Sequence, residues 1–437
     1  MNEEFNKEID ENINEKTNED INIKANEEIK TGYVKPALEV SRIETVTALL
    51  FIPLCYIYAA AMFENLETAR VLFGIFSLGF IVLTEILYRG RKRLKESIVF
   101  LACVLIIASA YTFNIGNVWE VEHKFFFLHM FAAYYVILRA DCMAEGETSH
   151  LFAWDGINAL LVYPFSNFPL GARTIGTGIF KGRKSTAKRV AASMVAVAIG
   201  LILLAMALNF LKDSDANYAH LLNRLTLNLE FGEIVVKLIV TAVVGSFLYG
   251  MVGGFFRADK KEIAESGKKL NDFLARINKI SPYLWMGFIG LFTVFYIMFF
   301  ALQGSYMFDA FRLILPKQYT FSQYAVKGFG DMCAVMVINF ILLWFTMRTS
   351  EEKSKPVMIC GAVLMADSFV FALIAFLKLF MYIRAYGFTP LRMQSLWLIV
   401  VLSFAVVCVL VSMFAHKKTA KTWFVISAAS LALLTLV

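Results

Sequence analysis

An all-α, polytopic transmembrane bundle of about eleven spans is the fold class this sequence predicts, and three observations predict it. Eleven separate apolar runs fill the chain from residue 45 to residue 437. Hydrophobic residues make up 59% of the chain and charged residues only 18%, against about half apolar and about a quarter charged in soluble domains. The runs are continuous rather than alternating. A hydrocarbon core ~30 Å thick takes ~20 residues of helix. Backbone in lipid must bond within its own segment or close into a barrel, and a barrel strand alternates lipid-facing with lumen-facing residues. Continuous runs therefore read as helices.

Residues 1–44 form a polar arm. Residues 1–34 carry ten acids against four lysines, a net charge of −6, while the whole chain carries +7. The remainder is therefore strongly basic. So few apolar groups do not offset ordering entropy, and the arm is expected to be disordered. The arm has no cleavable signal, so the first apolar run serves as both signal and anchor.

The expected spans are 45–63, 71–88, 97–113, 124–138, 190–211, 234–256, 283–303, 331–347, 357–381, 394–414 and 422–437. The first four form an N-terminal group, 45–138. A basic loop, 139–189, separates them from a second transmembrane domain, 190–437. The last run stops with the chain, so a longer protein continuing beyond it is expected. The loops after every second span hold 25 lysines and arginines, and the alternate loops hold nine. By the positive-inside rule this places the N-terminus in the cytoplasm and the C-terminus outside.

Two cytoplasmic segments break the span pattern. Residues 151–165 are apolar but carry Asp155, Asn158 and Pro164. Counting them as a span would invert the later charge bias, so they read as an interfacial or re-entrant helix with Trp154 and Tyr163 at headgroup level. In 257–282, Ile263, Leu270, Phe273, Leu274, Ile277 and Ile280 recur at spacings of three, four and seven, with lysines on the other face. That is an amphipathic helix, lying either on the inner leaflet or across the end of the bundle.

Ionisable residues deep in lipid are costly and mark function. Asp367 is the deepest by position. Lys378, eleven residues on, shares its helix face at ~16 Å, and His129 lies mid-span in the fourth helix. An ion- or proton-coupled path along the Asp367 face is one reading. The other has Asp367 bonded to a neighbouring helix, Lys378 reaching for the headgroups and His129 packed. Glu85 and Lys237, near span ends, are expected to extend to the interface, and Asn339 to bond between helices. Ser246, Gly250 and Gly254 recur every four residues, leaving a flat face for close helix packing or for a dimer seam.

The six cysteines form no CxxC pair, so neither disulfides, metal nor cofactor is expected. The glycine-rich stretch from Gly176 to Ser185 lacks phosphate-loop spacing and reads as a basic loop touching anionic lipid. Neither HExxH nor GxSxG occurs, so no catalytic residue is assigned and no enzymatic activity is expected. With the basic residues at membrane loops, the expected partner is the bilayer, and nucleic acid is not one.

Four local patterns go further. They are Phe210-Leu-Lys-Asp-Ser-Asp215-Ala-Asn-Tyr218, Gln303-Gly-Ser-Tyr306-Met-Phe308, Tyr324-Ala-Val-Lys-Gly-Phe329, and Ala375-Phe-Leu-Lys378-Leu-Phe-Met-Tyr382 followed by Tyr386-Gly-Phe-Thr-Pro-Leu-Arg392. In order and spacing they resemble DUF4153/DUF4173, a family of bacterial polytopic membrane proteins without an assigned activity. The resemblance runs from about residue 210 to residue 414, departing at Asp213-Ser214, Lys378 and Phe388. It implies the cytoplasmic membrane of a bacterium and members that continue past the last helix. The patterns fall near the outer span ends. Asp215, Gln303, Tyr306, Tyr324, Tyr382, Tyr386 and Arg392 would then form an extracytoplasmic cup for a small ligand, a lipid or a protein, unless they are an ordinary interfacial belt. Two functions stay open: a non-enzymatic accessory or sensory membrane protein, and a secondary transporter or channel for a small solute or ion.

Overall fold

A computed structural model of the chain describes residues 39–180, 200, 231–276, 280–302, 320, 321, 323, 329–350 and 355–437. The acidic arm up to residue 38 and the expected fifth span, 190–211, lie outside the described residues, apart from position 200.

The first helix, α1 (Arg42–Ala61), begins just before the expected boundary because Ser41 caps it. The Ser41 hydroxyl accepts from the Glu44 backbone at 3.2 Å, and the Glu44 carboxylate accepts from the Ser41 backbone at 2.9 Å. This capping box satisfies two donors that a helix start leaves open. Three helices follow: α2 (Leu66–Leu87), capped by Asn65; α3 (Glu96–Thr112); and α4 (Val121–Ala140), which ends on Asp141 in the left-handed region. Hydroxyls in the apolar helices bond backwards along their own turns. Ser77 reaches Phe73 O and Thr84 reaches Phe80 O, each at 2.7 Å. No polar atom of theirs is left to lipid.

Next comes a compact insertion: α5 (Phe152–Ile157), a π-helical turn (Asn158–Val162), α6 (Tyr163–Ser166) and α7 (Leu170–Phe180). It packs on α4, on α1 and on α8 (Phe231–Arg257). Tyr163 stacks on Phe255 with centroids 4.0 Å apart, and Leu160 reaches an apolar cavity shared with Ser77 and His129. The insertion enters the bundle rather than lying along its edge.

Beyond α8, the amphipathic helix α9 (Lys260–Arg276) crosses one end of the bundle. Its Ile263 and Gly267 are buried, and a Cβ at Gly267 would meet Ala144 at 2.8 Å. Lys260 pairs with Asp141 and Asn271 with Glu145, so this helix caps the loop below α4. Phe273 on the same helix is exposed.

The remaining helices are α10 (Pro282–Leu302), α11 (Phe329–Thr349), α12 (Lys355–Tyr386), α13 (Pro390–Ala415) and α14 (Ala420–Leu434). The buried residues form two cores. One joins α1–α4, the insertion, α8 and α14, and the other joins α10–α13. α14 returns to the first group, where Phe424 stacks on Phe100.

Seven described helices are long and apolar enough to cross a bilayer: α1, α2, α8, α10, α11, α12 and α13. This makes the chain a multi-pass membrane protein, and it is a smaller number than the eleven runs expected. α3, at 17 residues, and α14, at 15, are apolar but short. α4 is 20 residues long, but Glu122, His123, Lys124, His129 and Arg139 dilute its apolar character.

Candidate functional site

The second core holds a polar cluster at the centre of its helices. The Tyr296 hydroxyl on α10 donates to Asn339 Oδ1 on α11 at 2.7 Å, and Asn339 Nδ2 donates to Ser368 Oγ on α12 at 2.9 Å. Ser368 passes its own proton to Leu364 O at 3.0 Å. Asn339 and Ser368 are fully buried. A polar side chain in an apolar bundle holds helices together because an unmade bond there has no water to replace it. Asp367 sits beside this chain of bonds. Thr293 and Tyr296 lie near its carboxylate, and its Oδ2 is buried with no hydrogen-bond partner among the described residues.

Lys378 lies on the same helix and is 2% exposed. It is therefore buried within the protein rather than extended to the headgroups, as its place near a span end suggested. His129 belongs to the other core. Its Nδ1 is 2.8 Å from Phe125 O and its Nε2 is 3.2 Å from the Tyr58 hydroxyl. A carbonyl only accepts, so Nδ1 carries the proton and Nε2 accepts from Tyr58. Both ring nitrogens are occupied, and His129 does not join Asp367 and Lys378 in one site. It also lines the apolar cavity of about 60 Å³ beside Leu160.

Of the expected outer cluster, Tyr382, Tyr386 and Arg392 do come together. Arg392 lies over the Tyr382 ring, 3.9 Å from its centroid, and over Tyr386 at 5.8 Å. Its guanidinium also donates to Tyr386 O at 3.0 Å and to Gly387 O. Gly387 has φ +76°, a left-handed turn that favours glycine. Arg392 thus staples the turn between α12 and α13. Asp215, Gln303, Tyr306 and Tyr324 lie outside the described residues.

The small-residue face of α8 meets the insertion. A Cβ at Gly250 would fall 2.7 Å from Pro164 O, and one at Gly254 would fall 2.7 Å from Asn167 Nδ2. Ser246, one turn earlier, is half-buried.

Sequence reasoning missed the knot of charges at the end of the first core. The Glu85 carboxylate accepts from Tyr135 at 2.6 Å, from Arg139 Nε at 3.0 Å and from Arg93 at 2.7 Å. Arg139 also donates to Tyr88 O at 2.7 Å, and the Tyr88 hydroxyl reaches Val252 O at 2.8 Å. At that end of the bundle Glu85 ties α2 to α4, and Tyr88 carries the tie on to α8. Lys237 is likewise engaged, with Glu233 at 2.5 Å and Glu64 at 3.9 Å. Further pairs sit at the same end as Glu85: Glu44 with Arg257, Asp141 with Lys260, and Lys421 with Glu96 and Glu147. At the other end Lys124, 2% exposed, donates to Ile115 O and Gly116 O, each at 2.7 Å. The only signal for Glu85 and Lys124 was a charge within an apolar run.

All six cysteines are free thiols and five are buried. Among the described residues, no three His, Cys, Asp or Glu side chains gather as metal ligands would.

In comparison with known families, the profile of DUF4153, described as a domain of unknown function, matches residues 98–437. The match starts well before the stretch near residue 210 where the four local patterns begin, and it runs past residue 414. It spans most of the first core as well as the second. No curated protein and no solved structure matches the chain.

Proposed function

The chain belongs to the DUF4153 family, and from that premise we propose that it works as a non-enzymatic accessory or sensory protein of a bacterial cytoplasmic membrane, its N-terminus inside. One observation carries this reading. The polar groups of the second core are joined to one another across three helices, Tyr296 to Asn339 to Ser368, and Arg392 is taken up by two rings and a turn. Groups bonded in this way set helix positions. Arg91, Arg93, Arg139, Arg257 and Lys421 cluster at one end of the bundle, which supports a cytoplasmic placement of that end. Exposed lysines on α9 and in the loop before α14 would face anionic lipid there. The opposite end, with Tyr386 and Leu391 exposed, would then receive a protein or small-ligand partner.

A photo-crosslinking residue at Tyr386 or Leu391 of the full chain in native membranes tests this. A discrete protein adduct is expected. The absence of any adduct at both positions, with the protein folded and inserted, would count against it.

The Oδ2 of Asp367, without a hydrogen-bond partner among the described residues, favours a second reading, transport of a proton or a small cation past this carboxylate. Asp367→Asn in proteoliposomes decides it. A pH-driven flux present in the wild type and lost in the variant establishes transport; the same flux in both removes Asp367 from any path.

A further inference from the structure

At the end capped by α9 a small group of side chains joins the two cores, which also meet where α13 packs on α14. His150 lies in the loop between α4 and the insertion, and Arg348 ends α11. The Arg348 guanidinium donates to His150 Nε2. On the ring's other side, Nδ1 is 3.5 Å from the Glu145 carboxylate. A guanidinium has only donors, so His150 Nε2 must be bare and Nδ1 must carry the proton, aimed at Glu145. A neutral imidazole in one tautomer therefore bridges an acid of the first group to a base of the second. His150 and Glu145 are both about three-quarters buried, with side chains 27% and 28% exposed.

We propose that His150 is a proton-sensitive latch between the two helix groups, closed when its imidazole is neutral and opened when Nε2 takes a proton. Protonation removes the acceptor that Arg348 uses and sets two cations face to face. The surroundings fix the direction. Arg348 approaches from α11, Lys418 from the loop before α14, and Glu145 from the same loop as His150, where it is also held by Asn271 of α9. Burial, Arg348 and Lys418 lower the His150 pKa, while Glu145 raises it in part. Since the latched value lies below the ordinary ~6.5, the latch holds fully above that pH. It weakens as pH falls from there through the lowered value. The nearby β-bridge between Ile280 and Ser350 places the start of α10 against the end of α11, so release of Arg348 is transmitted to both helices.

The test is hydrogen exchange of the full chain in lipid nanodiscs at about pH 8 and about pH 5, with exchange times scaled for the intrinsic pH dependence. Amides of 144–150 and 346–350 are expected to open about tenfold faster at the lower pH in the wild type. His150→Gln, which keeps an acceptor for Arg348 but cannot titrate, is expected to show no such change. Asp155→Asn, which removes the other nearby group titrating in this range, is expected to keep it. An unchanged wild type, an undiminished response in His150→Gln, or a response lost in Asp155→Asn would each overturn the latch. If His150→Gln does not assemble, Arg348→Gln removes the facing cation and is expected to flatten the response; an undiminished one overturns the latch.

Discussion

Asp155 is fully buried; its Oδ1 accepts from the Ala144 backbone at 2.9 Å, and its Oδ2 has no partner among the described residues. Burial, more than the backbone bond can offset, pushes its carboxyl up to about 6. A carboxyl raised above its ordinary ~3.9 favours the protonated fold. The contribution of Asp155 to stability is thus fullest below about pH 4 and is lost as pH rises through about 6. Asp155→Asn is expected to raise the unfolding free energy at pH 8 by on the order of 1–3 kcal/mol, read as a higher thermal midpoint, with a smaller gain near pH 4. A uniform effect across that range would contradict the burial argument. Arg139 and Arg93 contact the same Glu85, but their side chains are 4% and 36% exposed. Arg139→Ala should cost about 3–5 kcal/mol by stranding buried partners, and Arg93→Ala less than about 1. Thermal unfolding in detergent ranks the two. Asp367 was visible in the sequence because a carboxylate deep in an apolar run is conspicuous. The pairing of Glu85 was not legible because its partner Arg139 is 54 positions away, and no local spacing links them. Lys378 was misread because distance to a span end says nothing about which neighbours enclose a side chain.

At the scale of elements, the small-residue period of α8 was readable, since four-residue spacing always lines one helix face. What covers it was not. The partner is the chain from Pro164 to Asn167, in a segment whose Asp155 and Asn158 argue against a span. Gly250→Val would drive side-chain atoms into the backbone carbonyls of Pro164 and Asn167, at 2.7 and 3.0 Å from the Cβ itself. Backbone yields less than a side-chain tip, so a loss of about 1–3 kcal/mol or more is expected. An unchanged melting profile would show that the insertion can retreat freely from α8. The amphipathic α9 was also readable, from its three-and-four spacing. Its seat against Ala144 was not, because a helix that covers a protein end and one that rests on a leaflet need the same pattern.

For the whole molecule, two cores imply two cooperative units. The first is tied by Glu85, Arg139, Tyr88 and Arg257, whereas the ionisable Asp367 and Lys378 are carried by α12 of the second. In rising SDS, Cys333 of the second core is expected to react with a thiol reagent before Cys55 and Cys103 of the first. Simultaneous reaction would mean a single unit. The alternating excess of lysine and arginine gives an expectation for how the chain is threaded, but composition says nothing of how apolar helices sort into groups, since all are equally oily. The insertion carries one last consequence, for how the protein is made. Residues 152–166 leave the ribosome roughly 65 positions ahead of α8, whose glycines seat them. At about 5–20 residues per second, the segment that carries Asp155 and Asn158 waits several seconds without its shelf. Biogenesis of this protein thus has a vulnerable interval, during which an insertase or chaperone that shields Asp155 and Asn158 would decide how many chains mature.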